Sequence, residues 1–468
     1  MSYPSKRLVQ LLQSLNKKEI KAAKKFISSP FHNPRKDVIQ LFEYLTECLF
    51  VLKITPSKEQ IFRHIYLKKT YNDHQVRVIM SFLFKALERF LTFEAFWADP
   101  IKTKIKLAEV YRQKQLPDHF QRIIHEAQLL QENNTLRNAD YYNDYFQIQM
   151  EQYQFSSTSQ RTSEHNLQEI SDTMDIAFLA LKLKQACFSL SHQTVYKTEY
   201  HFGLLTEIIQ YIERQNLLKI PAIAVYYYCY HALTHQKEDQ YYKQLKSSLF
   251  RYAHHFPSTE IRDLFLLTIN YCIKRMNAGE KRFEQEVLEW YQEGLQNEHL
   301  MTNGNLSRFT YRNITTMGLI IQDYDWVEKF IHDFKGKLEK QYSESAFSFN
   351  LARLEYARKN YESALQLLQK SEYKDLLLNL GAKTIALKIY FELGAYDLLD
   401  SHMEAMRNFI RRKKIIGYHQ ENYLNFLQFT RRLLDLPPYE REAKIQLLIE
   451  IEKTKVLAEK TWLQKQLT

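Results

Sequence analysis

A chain of 468 residues with only 9 glycines and 10 prolines lacks the turn residues of a sheet-rich fold, so long helices joined by short polar loops are expected. Its four isolated cysteines form no CxxC pair, and no run of about 18 apolar residues spans a membrane, so a protein of the reducing cytoplasm is expected, with no membrane partner, disulfide framework or metal cluster. The net charge of +11 lies wholly in residues 1–120, where 22 Lys and Arg face 11 Asp and Glu, which makes that segment the candidate for an acidic partner.

The segment Met1-Ser2-Tyr3-Pro4-Ser5-Lys6-Arg7 lacks the apolar core of a secretory signal. Asn16-Lys17-Lys18-Glu19 has the form of a capping box and predicts a helix to about Ile27, stopped by Ser28-Ser29-Pro30. Asn33-Pro34 predicts the next helix, with Asn as cap and Val38, Leu41, Phe42 and Leu45 along one face. Ser57 opens a third helix, and Asn72-Asp73 a fourth, running to about Phe96 before Asp99-Pro100. Residues 101–300 read as helical but less regular, with loops expected at Asn133-Asn134 and at Ser156–Ser159. Helices are expected over Ala177–Ser189, Phe202–Glu213, Ile223–Ala232, Tyr241–Ala253 and Ile261–Met276, with no strand of convincing alternation.

Near the C-terminal end one pattern recurs: a turn residue, an aromatic, then a helix. It appears at Gln322-Asp323-Tyr324-Asp325-Trp326-Val327, at Lys359-Asn360-Tyr361-Glu362-Ser363-Ala364 and at Gly394-Ala395-Tyr396-Asp397-Leu398-Leu399. The tyrosines are 37 and 35 residues apart, a period that marks an array of paired helices with aromatic wedges between layers. Leu351, Tyr356, Tyr361, Ala364 and Leu368 fall where such a pair interlocks. Leu399 stands where Ala364 is small, so the third pair is expected to splay or shift. After Pro437-Pro438 one amphipathic helix to Trp462 is expected to cap the stack.

These residues resemble the tetratricopeptide repeat family over about 305–412 and, by helix spacing alone, over about 175–300. The chain also resembles an uncharacterised family of bacterial cytoplasmic helical-repeat proteins through Ser29-Pro30-Phe31-His32-Asn33, Asn270-Tyr271-Cys272 and Tyr324-Asp325-Trp326. The resemblance implies an all-α right-handed solenoid. Its parts would be a basic helical domain (1–120), divergent repeats (121–304), three repeats (305–412) and capping helices (413–468).

The tetratricopeptide resemblance further implies a groove lined by first-helix side chains that holds a protein or peptide. Aligning the three tyrosines places Arg312, Asn313, Thr316, Asn350, Arg353 and Lys388 on that groove. Asn can both donate to and accept from a peptide backbone, and Arg can clamp a carboxylate. Gly381 and Ile385 stand where the carboxylate clamp of some family members has basic residues.

A second reading uses the basic region: Ser57–Tyr66, a turn, and Asp73–Phe96 form helix, turn, helix. His74, Gln75, Arg77 and Val78 would then meet bases, with Lys68, Lys69 and Lys85 near phosphates. The turn is longer than usual, and Ile79, Phe82, Leu83 and Leu87 already account for the helix as core. No HExxH, glycine-rich phosphate loop or nucleophile elbow is present, so no catalytic residue, metal or cofactor is expected. The reading is a noncatalytic binding scaffold. A nucleic-acid-associated regulator is the alternative, and an enzyme without recognisable motif comes third.

Overall fold

A computed structural model describes residues 3–67, 69–159, 165–196, 198–370, 375–412, 418–437 and 440–467. The chain divides into two compact units, Met1–Ser189 with Tyr200–Tyr227 and Leu190–Glu199 with Tyr228–Thr468. In chain order the helices begin with α1 (Lys6–Ser14), α2 (Lys17–Ser28), α3 (Lys36–Thr46), α4 (Lys58–Ile65), α5 (Asp73–Trp97) and α6 (Pro100–Gln113). They continue with α7 (Pro117–Glu132), α8 (Ala139–Ser159), α9 (Leu167–Tyr196), α10 (Leu205–Arg214), α11 (Pro221–Thr234) and α12 (Asp239–Tyr252). Then come α13 (Ser258–Asn277), α14 (Arg282–Gln296), α15 (Arg308–Ile321), α16 (Tyr324–Phe334), α17 (Lys340–Ala357) and α18 (Tyr361–Lys370). The last are α19 (Leu376–Glu392), α20 (Tyr396–Arg412), α21 (Tyr418–Leu434), α22 (Arg441–Lys453) and α23 (Lys460–Lys465). The all-helical expectation holds, with one exception among the described residues: Met301–Thr302 and Asn305–Leu306 pair as a two-residue antiparallel hairpin.

In the first unit, Asn16 and Glu19 form the expected capping box on α2, Ser57 and Gln60 form one on α4, and Asn72 caps α5. Val38, Leu41, Phe42 and Leu45 of α3 are buried with Val76, Ile79, Leu83 and Leu87 of α5. Asn33 does not cap α3. Its side chain is buried, donates to the Ile27 and Arg35 carbonyls, and accepts from the Arg35 amide, so it ties two chain segments together. The loop expected at Ser156–Ser159 is the last turn of α8, because Ser156, Ser157 and Thr158 bond back to carbonyls three or four residues earlier.

In the second unit α15 packs on α16, α17 on α18 and α19 on α20, while α17 also packs against α15 and α19. The same turn closes each pair. Gln322, Lys359 and Gly394 have φ of 66°, 64° and 67°, each two residues before the repeated tyrosine. The next amide returns to the carbonyl five residues back: Asp323 to Gly318, Asn360 to Glu355 and Ala395 to Tyr390. That is the Schellman helix stop, which satisfies carbonyls the helix end would leave bare. Gln115, between α6 and α7, makes the same turn in the first unit.

The residue three past each tyrosine (Val327, Ala364, Leu399) is fully buried. Where that residue is Val327, the facing helix supplies Gly318, where any added Cβ would clash with the valine methyl. Leu399 is absorbed into a cluster with Leu380, Leu387, Met403 and Phe426. In the second pair Ala352 and Leu354, not Leu351, take the buried positions.

The wedge reading fails for one tyrosine. Tyr361 is half-buried with its hydroxyl 2.5 Å from Glu392 of α19, whereas Tyr396 is 60 % exposed. The C-terminal helix is likewise two helices, α22 and α23, separated at Thr454–Glu459. The Asn270-Tyr271-Cys272 segment serves packing: Tyr271 and Cys272 are buried, and burial pushes the Cys272 thiol up to about 12.

Two outcomes test this fold. An L residue at positive φ is strained by roughly 1 kcal/mol, so Lys359→Gly should raise the unfolding free energy by about that amount and Gly394→Ala should lower it, both read by urea melts. Asp144 is buried with one carboxylate oxygen unpartnered, and burial pushes it up to about 6. A raised carboxyl makes the folded state hold its proton longer than the unfolded state. Wild-type stability should therefore fall between about pH 4 and 6. Asp144→Asn should remove that decline, gaining up to about 3 kcal/mol on wild type across the window.

Candidate functional site

Four of the six groove residues meet in one cavity of about 400 Å³ in the second unit: Arg312 and Thr316 of α15, Arg353 of α17 and Lys388 of α19. Helix spacing produces this, since residues four apart on α15 share a face and α17 lies between α15 and α19. Phe349, Tyr356 and Ile385 supply apolar wall, while Tyr423 of α21 and Glu459 come from the C-terminal segment. An open groove was expected; these C-terminal residues make it a pocket with a partial roof.

The other two groove residues lie elsewhere. Asn350 is 1 % exposed and donates to the Ala346 carbonyl of its own helix. Asn313 hydrogen-bonds the Tyr291 hydroxyl.

Arg353 is the unusual member. Its guanidinium donates to the Thr316 hydroxyl at 2.9 Å and to the Arg312 carbonyl at 3.4 Å. Burial, and then the Arg312 cation, pull it down to about 10, so it remains charged at neutral pH. Among the described residues neither Arg353 nor Arg312 has an ion-pair partner. Lys388 does, with its ammonium 2.8 Å from Glu459 and stacked over the Tyr356 ring at 4.7 Å. Three cations and one carboxylate leave the pocket with a formal charge of +2.

Beside this pocket, Glu392 accepts three hydrogen bonds. They come from the hydroxyls of Tyr356 and Tyr361, each at 2.5 Å, and from the Trp462 indole at 2.6 Å. Burial opposes its ionisation, but the three donors and Lys388 outweigh it and hold the carboxyl below its usual range. Sequence reasoning missed Glu392, Tyr423, Glu459 and Trp462. Trp462 is 70 residues from Glu392 in the chain, and no local pattern links them.

The basic region offers a less convergent surface. Lys68 lies outside the described residues. His74, Gln75 and Lys85 are exposed on α5, and Lys69 is exposed with its ammonium over the Tyr66 ring. Arg77 and Lys58 both pair with Asp73, which neutralises part of the helix N-terminus where bases would be read. Among the described residues no cluster of His, Cys, Asp or Glu could hold a metal ion, and no helix is long and apolar enough to cross a membrane.

Comparison with protein-family models gives no match, and comparisons with curated proteins and with solved structures give no significant one.

Glu392→Ala strands three donors, so it should cost about 2–4 kcal/mol and raise amide exchange across 455–467 in the full chain. Because its folded pKa is depressed, the wild-type contribution should be complete above about pH 4.5 and vanish as pH falls through the lower folded value. Glu392→Gln should lose that acid-dependent part, which a pH series of urea melts reads directly.

Proposed function

We propose that this chain is a noncatalytic binding protein whose second unit is a right-handed array of tetratricopeptide-type helix pairs, and that it recognises the acidic end of a protein or peptide. One observation carries the reading: Arg353 is a half-buried guanidinium lining a cavity, with no carboxylate ion-paired to it among the described residues and Glu459 of the same cavity paired with Lys388 instead. A partly desolvated cation without an ion-pair partner is costly, and an anionic ligand relieves that cost. Arg also presents a planar fork that matches a carboxylate, and Arg312 and Thr316 stand beside it.

The partial roof of Tyr423 and Glu459 favours the end of a chain over a segment passing through, and the end with fixed negative charge is the C-terminal carboxylate. The +2 pocket disfavours an amidated or basic end. The place of this protein in a bacterial cytoplasmic helical-repeat family belongs to the same proposal.

The test uses full-length protein and a pool of random short peptides with free C-termini, read by isothermal titration after enrichment on the immobilised protein. Enriched peptides should carry an acidic end, and amidation should weaken them about tenfold or more, as should Arg353→Met, which keeps the stem and deletes the charge. Equal affinity for the amidated forms would contradict the reading. Retention of random DNA duplexes that survives Arg353→Met but falls steeply with salt would favour the basic N-terminal region as the binding element.

A further inference from the structure

A second cavity, of about 370 Å³, lies in the first unit between α7, α8 and the segment entering α9. Its chemistry is opposite to that of the cationic pocket. Gln121 and Gln128 of α7, Gln149 and Gln152 of α8, and Asn166 present five carboxamides, and among the described residues no Lys or Arg lines the space. Among the described residues the one lining carboxylate, Glu169, is engaged by the Tyr145 hydroxyl at 2.7 Å, and the one lining imidazole, His165, lies 3.2 Å from the Ser156 hydroxyl. A cavity lined by no described Lys or Arg does not suit phosphate or carboxylate ligands.

Gln149 supplies the second observation. It is 1 % exposed, it lines the cavity, and its amide nitrogen meets the Tyr145 hydroxyl while its amide oxygen has no hydrogen-bond partner among the described residues. Leaving a buried amide oxygen unpaired is costly, and native interiors rarely do so. The space is several times the roughly 30 Å³ that one water occupies in the liquid. Phe120 and Phe155 stack at 4.2 Å with planes 10° apart and give the cavity a flat apolar element.

We infer that this cavity is a binding site for a neutral ring compound, one that sets an apolar face toward the Phe120–Phe155 pair and an edge of donors and acceptors toward Gln149 and its neighbouring carboxamides. Carboxamides suit such an edge because each donates and accepts, so one side chain can pair with adjacent groups of opposite sense. Neutral sugars and nucleobases share this chemistry. The inference is independent of the acidic-end reading of the second unit.

The experiment is saturation-transfer NMR on the full-length chain with two arms: a panel of neutral aldohexoses and a panel of uncharged nucleosides. One arm is expected to give saturable transfer, weakened about tenfold by Gln149→Leu, as expected for the loss of one or two hydrogen bonds. Gln149→Leu removes the unpaired amide oxygen together with one contact to the Tyr145 hydroxyl, so its melting temperature should stay near wild type. Should that variant fail to fold, Gln121→Ala on the exposed rim carries the same test. Binding by neither arm would mean a hydrated cavity only and would overturn the inference, as would binding unchanged in the variant used.

Discussion

Glu392 is the point on which the second unit turns. One carboxylate accepts from the end of α17, the start of α18 and the short C-terminal helix α23, so a single half-buried charge joins two helix pairs and a segment 70 residues away. Charge-assisted bonds of this kind are roughly twice as strong as neutral ones. They hold Trp462 in place, and Trp462 sets the position of Glu459 three residues earlier. Lys388 closes the circuit by pairing with Glu459. The cationic pocket is therefore shaped by an interaction outside it.

The pairs themselves rest on a backbone rule. Each begins its second helix two residues after a residue in the left-handed region, and the residue three past the tyrosine is then carried into the interface. Gly394 meets the demand at no steric cost, whereas Gln322 and Lys359 meet it under strain. What the repeat conserves is the turn and the buried position after it. The aromatic is used differently in each copy, since Tyr361 finds Glu392 and Tyr396 finds water.

That difference explains what could be read from the residues and what could not. The capping box at Asn16, the helix start at Ser57, the apolar face of α3 and the three turns are local, and each was legible because its chemistry lies within a few residues. Four groove residues converge because helical spacing extrapolates well along stacked first helices. Asn350 does not, because it turns back on the Ala346 carbonyl, a choice that depends on what fills the space beside it. Asn33, the Ser156–Ser159 turn and the break before α23 turned on competing hydrogen bonds that spacing does not record. Glu392, Glu459 and the five carboxamides of the first-unit cavity are brought together only by tertiary packing.

The central claim is that Arg353 waits for an anion. Its Nε–Hε resonance, assigned by its loss in Arg353→Lys, can be followed in full-length protein titrated with N-acetyl-diglycine, which carries one free carboxylate, and with its amide. The account predicts a saturable shift of that resonance with the carboxylate and none with the amide. A resonance that stays still through both titrations, or moves equally in both, would contradict it.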